Sequence, residues 1–183
     1  MTALSVCVFC GSRDGIDPRF AAEAEALGKA LATSGLRLVY GAGDVGLMGR
    51  VARSHQTAGG EIFGVIPVHL FEREVGKKDL THFVITETMH ERKKVMFMNA
   101  DVITMLPGGP GSLDEFFEVV TWAQIGLHSK PIYIINTDGY WDKLIELLNH
   151  VVDQGFAAPE FAKLFTVVET VPELMASLAE LRS

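Results

Sequence analysis

Residues 101–118 read DVITMLPGGPGSLDEFFE. An apolar run rich in β-branched residues gives way to the turn PGGPG and then, with no spacer, to an amphipathic pattern. The first part fits a strand and the last a helix, because glycine and proline punctuate elements and a change of apolar period marks a change of element. A strand that passes through a tight loop into a helix is half of a βαβ unit. The fold therefore turns on whether the rest of the chain repeats this plan.

It does. Six further apolar runs stand between helical stretches: LSVCVFC (4–10), LRLVYG (36–41), EIFGVIP (61–67), HFVITE (82–87), KPIYIIN (130–136) and a weaker FTVVE (165–169). Near-continuous apolar runs suggest strands covered on both faces, as in a parallel sheet. Helices are expected over 18–34, 46–58, 88–99, 112–126, 140–153 and 172–182, with Pro18 and Pro172 in first turns and Gly35 as a stop. The fold class is α/β: a three-layer, Rossmann-like open parallel sheet of about seven strands with helices on both faces. The chain of 183 residues is 48% hydrophobic and is divided by no repeat, charge block or Ser/Gly/Pro-rich linker, so a single domain over 1–183 is expected.

Composition narrows the function. A formal net charge of −7 disfavours a non-specific nucleic-acid binder, which needs a basic stripe to displace counterions. A small anionic ligand stays compatible, since it needs only a few local donors. No apolar run approaches the roughly 20 residues that span a bilayer, and the start lacks a charged n-region and cleavage site, so a soluble, cytoplasmic protein without a membrane partner is expected. Cys7 and Cys10 have C-x-x-C spacing, but in a strand-like run residues three apart face opposite sides. That fits core cysteines better than a redox pair or a zinc site. His55, His69 and His90 show no metal spacing, and neither a metal nor an organic cofactor is expected.

In open α/β sheets ligands bind beyond the carboxyl ends of the strands. Three such loops are unusual: CGSRDG, YGAGDVGLMG and LPGGPGSLDE. Gly41 to Gly46 match G-x-G-x-x-G, and Glu61 lies twenty residues after Gly41, yet the motif follows the second run instead of the first. It is read as backbone amides approaching an anion, or as packing alone. PGGPGSLDE follows a strand and enters a helix whose first turn has unpaired N–H groups, which suits a phosphate. The G-K-[ST] ending of a P-loop is absent, and Pro110 supplies no amide. Ser112 and Glu115 also spell a capping box, as do Thr88 and Glu91, and Arg92, Lys93 and Lys94 by spacing alone also fit a solvated helix face.

Together FCGSR, VYGAGDVGLMG, MHERK, PGGPGSLDE and TWAQIGLHSKP…GYWD, in this order over almost the whole chain, resemble the LONELY GUY family of cytokinin-activating phosphoribohydrolases, long labelled lysine decarboxylases. The resemblance implies hydrolysis of the N-glycosidic bond of a nucleoside 5′-monophosphate to free base and ribose 5-phosphate, the base being an adenine with an isoprenoid-type substituent. It implies Arg92 and Glu115 as the catalytic pair, and Gly108, Gly109, Gly111 and Ser112 as phosphate ligands. Lys93 assists, while Ser12, Arg13, Gly41, Gly43, Glu87 and Met89 contact the ligand. It also implies a homodimer packed through the helix that carries Trp122 and Gln124 and ends near His128. Ser112 stands in place of the commoner threonine and keeps its hydroxyl; three further departures bear on the substrate: Ala42 in place of a third glycine, the acid Asp44 and Pro110. Two rival readings are a general AMP nucleosidase and a non-catalytic carrier of a phosphorylated ligand such as the molybdenum cofactor. A pyridoxal-dependent decarboxylase lacks a candidate Schiff-base lysine in an apolar setting.

Overall fold

The computed structural model describes residues 4–71 and 79–181. All seven apolar runs are strands: β1 (Ser5–Phe9), β2 (Arg37–Tyr40), β3 (Ile62–Pro67), β4 (His82–Thr86), β5 (Val102–Met105), β6 (Ile132–Ile135) and β7 (Thr166–Val168). They form one parallel sheet in the order β4-β3-β2-β1-β5-β6-β7. The chain starts at the centre, builds outward to β4, returns to lay β5 against the free side of β1, and builds outward again. The order therefore reverses between β1 and β5, where Phe9 is level with Met105. Loops leaving these two strands part to opposite faces and leave a crevice.

Helices α1 (Pro18–Thr33), α2 (Gly46–Thr57), α3 (Val68–Phe71), α4 (Met89–Met98), α5 (Pro110–Gln124) and α6 (Asp142–Asp153) connect the strands, and α7 (Val171–Glu180) follows β7. The six expected helices are present; the one-turn α3 was not expected, being too short to show a period. The anticipated end of the last helix at 182 falls outside the described residues. Pro18 and Pro172 sit in first turns, and Gly35 adopts a left-handed φ of 66° after α1.

Strand alternation splits the core in two. Val6, Val8 and Cys10 pack with Leu27, Val51 and Leu174 of α1, α2 and α7, whereas Cys7 and Phe9 pack with Met96, Phe116 and Leu144 of α4, α5 and α6. The two cysteines are buried, unpaired and on opposite faces, so period two, not C-x-x-C chemistry, explains them. Where α1 crosses α2, a Cβ on Gly28 would lie 2.3 Å from the Val51 carbonyl oxygen, so only glycine permits this approach. His55 closes the same crossing: its Nδ1 and Nε2 lie 3.0 and 3.1 Å from the Gly28 and Glu61 carbonyl oxygens.

Candidate active site

The crevice at the strand-order reversal holds most of the anticipated residues. A cavity of about 140 Å³ is lined by Cys10, Gly11 and Ser12 after β1, Met48 of α2, Arg92 of α4, and Gly109, Pro110, Gly111, Ser112 and Glu115 of α5. Beside it, sharing Gly11, Ser12, Gly109 and Pro110, a second cavity of about 470 Å³ extends to Arg13, Phe20, Leu47, Gly108 and Tyr140.

Helix α5 starts earlier than its capping-box spelling implied. Gly109 is the N-cap and Pro110 the first helical residue, so Ser112 is the third, inside the first turn, and not the cap. Proline decides this, because its fixed φ suits the first helical position and its missing N–H costs nothing there. A first turn has no intrahelical partner for its N–H groups, which leaves those of Gly109, Gly111 and Ser112 toward the opening. A Cβ on Gly109 or Gly111 would meet no protein atom within 4 Å, so both face open space. The Ser112 hydroxyl is buried, 3% exposed for the residue, and has no hydrogen-bond partner. An unmet buried hydroxyl at the positive end of a helix of 15 residues is a ready hydrogen-bond donor to an anion.

Arg92 is 5% exposed, not on a solvated face. Its guanidinium crosses beneath β2 and β3, donating from Nε to the Val65 carbonyl at 3.3 Å and from Nη2 to the Gly41 carbonyl at 3.1 Å, with the Met89 sulfur 3.8 Å from Nη1. Gly41 has no side chain because Arg92 occupies the space: a Cβ there would lie 1.7 Å from Nη2. The Thr88–Glu91 capping box forms as the spacing implied, Glu91 N donating to the Thr88 hydroxyl at 3.2 Å and Thr88 N to the Glu91 carboxylate at 3.2 Å. It fixes the start of α4 and so the origin of Arg92. Burial foremost, and then the negative charge of Glu115, raise the pKa of the Cys10 thiol, while Arg92 opposes them. Arg92 and Glu115 line the same cavity as Cys10, at the end of β1.

Other anticipated residues are placed differently. Lys93 turns away to α5, its Nζ 3.0 Å from Asp114 and 2.8 Å from Glu118. Burial disfavours its ammonium, yet the two carboxylates outweigh that and raise its pKa. Lys93 thus ties α4 to α5 and lines neither cavity. Glu87 is exposed at the entry to α4, its amide donating to Glu91 at 2.8 Å. Gly43 is buried in the β2–α2 loop. Asp44 does not face the crevice as a bare acid, since Arg53 pairs with its carboxylate and donates to its carbonyl at 3.0 Å. Ala42 keeps the left-handed φ of 56° for which glycine is suited. Trp122 packs edge-on against Phe97 at 5.0 Å, and His128 donates from Nε2 to the Val119 carbonyl at 2.8 Å while Nδ1 accepts from Lys130 N at 3.1 Å. Cys10, Gly11 and Met48, and Leu47 and Tyr140 in the larger cavity, lie within the loops and motifs quoted above but were not singled out as lining residues, and Phe20 carried no local signal; strand order brings them together.

Comparison with known proteins places the chain in a family. The family model described as "Possible lysine decarboxylase" matches residues 48–178. The "Probable cytokinin riboside 5'-monophosphate phosphoribohydrolase LOG4" of Oryza sativa subsp. japonica is 41% identical over 96% of this chain and 76% of its own length. The cytokinin riboside 5′-monophosphate phosphoribohydrolase LOG7 of Arabidopsis thaliana is 39% identical over 96% of this chain and 81% of its own. Among solved structures, the molybdenum cofactor carrier protein of Chlamydomonas reinhardtii superposes with a TM-score of 0.74 at 19% identity, covering 98% of each chain, a likeness of fold alone. With two-fifths of its residues shared along nearly its whole length, the chain belongs to the LONELY GUY family of cytokinin riboside 5′-monophosphate phosphoribohydrolases, which the lysine decarboxylase family model describes.

Proposed function

We propose that this protein hydrolyses the N-glycosidic bond of a nucleoside 5′-monophosphate, releasing ribose 5-phosphate and a free adenine that carries an isoprenoid-type substituent. One observation carries the reading: a single small cavity joins the N-terminus of α5, with its unmet Ser112 hydroxyl, to the buried Arg92 and to Glu115 one turn further on. The amides of Gly109, Gly111 and Ser112 hold the phosphate, and the anchored phosphate sets the sugar against Glu115. As the bond to the base breaks, positive charge grows at C1′ and on the ring oxygen. A carboxylate beside the ring stabilises that charge and orients water. The water oxygen bonds to C1′, and its two protons end on the new hydroxyl and on the departing base. Arg92, fixed by two main-chain carbonyls, presents its remaining donors to the phosphate or to Glu115. About 140 Å³ is below the roughly 300–1,000 Å³ usual for small-molecule sites, and the adjoining cavity of about 470 Å³ supplies the missing room.

The same reading takes residues 1–183 as one domain acting in the cytoplasm as a homodimer with no nucleic-acid partner. Met98 at the end of α4 and Ile125 and Leu127 after α5 are 67%, 64% and 69% exposed, apolar side chains that a second copy would cover. Among the described residues no helix is long and apolar enough to cross a membrane.

The test follows product release by chromatography from AMP, isopentenyl-AMP and their nucleosides, for wild type and Glu115→Gln. Free base from a monophosphate but not from its nucleoside, abolished in the variant, is expected, with isopentenyl-AMP preferred. Preference for AMP makes the protein a general nucleosidase. No turnover of any monophosphate overturns the hydrolase in favour of a carrier.

A further inference from the structure

We infer that Tyr140 is a positioning residue that sets the polarity of the phosphate cradle; the inference rests on the cradle assigned above. The Gly108 carbonyl and the Gly109 N–H belong to one planar trans peptide unit and point in opposite directions, so fixing one fixes the other. Between two glycines no Cβ resists rotation of that unit. Turned one way it offers an anion the Gly109 N–H. Turned the other way it offers a carbonyl oxygen, which repels the anion. Neighbouring side chains thus decide whether this stretch attracts phosphate.

The side chain that decides is on another strand's loop. The Tyr140 hydroxyl donates to the Gly108 carbonyl oxygen at 2.6 Å, drawing it toward the loop after β6 and leaving the Gly109 N–H for the crevice. Tyr140 is 40% exposed, and aromatic neighbours hold its ring on the protein side. Its ring packs edge-on against Phe20 at 5.2 Å and Trp141 at 4.7 Å. The Trp141 amide donates to the Asn136 side chain at 2.7 Å, and Asn136 donates in turn to Asp142 at 2.9 Å. The intervening 3-10 turn, Thr137–Gly139, has two successive left-handed residues, Asp138 at φ 53° and Gly139 at φ 71°, and Arg19 of α1 clasps Asp138 at 2.6 Å. Aspartate and glycine are among the residue types that tolerate this backbone, so the turn holds Tyr140 at a fixed height over the cradle. The ring also walls the larger cavity beside Gly108 and Gly109.

Tyr140→Phe removes the hydroxyl and keeps the ring packing. Its loss is expected to raise KM for the nucleoside monophosphate about fivefold, the worth of one neutral hydrogen bond, with kcat within about twofold and only a small loss of thermal stability. The dissociation constant of ribose 5-phosphate, measured by calorimetry, should rise by the same factor, while that of the matching nucleoside stays constant. Tyr140→Leu, which also removes the ring contacts, should lose stability as well. Unchanged ribose 5-phosphate binding in Tyr140→Phe overturns the inference, as does a fall in kcat at constant KM. Calorimetry needs no turnover, so failure of the hydrolase reading, seen as absent product or as full activity in Glu115→Gln, stays distinguishable from failure of this one.

Discussion

Gly41→Ala is the sharpest probe of how Arg92 is held. Gly41 lies outside the left-handed region, so its backbone tolerates alanine, and any effect comes from the added methyl. That methyl would sit 1.7 Å from Arg92 Nη2, whereas ordinary contact begins near 3.4 Å, so one partner must move by the difference, about 1.7 Å. Gly41 is buried and directly follows Tyr40, which is paired to β3, so the end of a long side chain is the softer partner. Moving the guanidinium breaks its bonds to Gly41 and Val65, at 3.1 and 3.3 Å, and withdraws it from the crevice. Misplacing a catalytic group by about 1 Å costs on the order of a hundredfold in rate, or about 2.7 kcal/mol of transition-state stabilisation. Overpacking costs about 1–3 kcal/mol of folding stability, which a domain of typical stability survives. Steady-state kinetics on isopentenyl-AMP, with circular dichroism to verify folding, should show a folded protein with kcat/KM down about a hundredfold. A folded variant within about threefold of wild type would refute the argument that Gly41 exists to seat Arg92.

Two further predictions separate ligand space from protein space. Gly111→Ala adds a methyl that meets no protein atom within 4 Å, so thermal stability should hold or rise slightly through helix propensity, while KM for the monophosphate rises about tenfold or more; unchanged KM would mean that nothing binds at that surface. The second concerns pH. Burial holds the pKa of His55 below its ordinary value, although the Gly28 and Glu61 carbonyls work against it. The unfolded chain binds a proton near pH 6.5 that the folded chain refuses, so stability falls as pH drops through about 6.5 toward the depressed folded value. Urea unfolding at about pH 7.5 and 5.5 should show a larger loss for wild type than for His55→Gln; equal losses would contradict this account.

The local plan was legible because local rules produced it. Seven apolar runs became seven strands, and Pro18, Pro172, Gly35 and the Thr88–Glu91 box marked helix ends through backbone constraints acting within a few residues. The cysteine reading held for the same reason, since alternation along a strand is a property of the backbone. The motifs that carry the family resemblance also lay in the linear sequence, and so the anion cradle and the pair Arg92 and Glu115 could be named.

What failed were inferences about partners. By spacing alone Ser112 and Glu115 also fitted a capping box, which Pro110 at the first helical position rules out, and Arg92 also fitted a solvated face, which its burial and its bonds to the Gly41 and Val65 carbonyls overturn. Lys93 and Arg92 are adjacent in sequence, yet the helix sends one to α5 and the other beneath the sheet's edge loops. Tyr140 meets Gly108 from 32 positions away only because β6 lies beside β5. The sequence alone determined element order, most helix ends and the chemical types at the crevice, because these depend on near neighbours and backbone periodicity. Tertiary structure decided which carbonyl orients Arg92, which acids occupy Lys93 and which hydroxyl turns the cradle, because strand order sets the neighbours of each loop and no local pattern encodes that order.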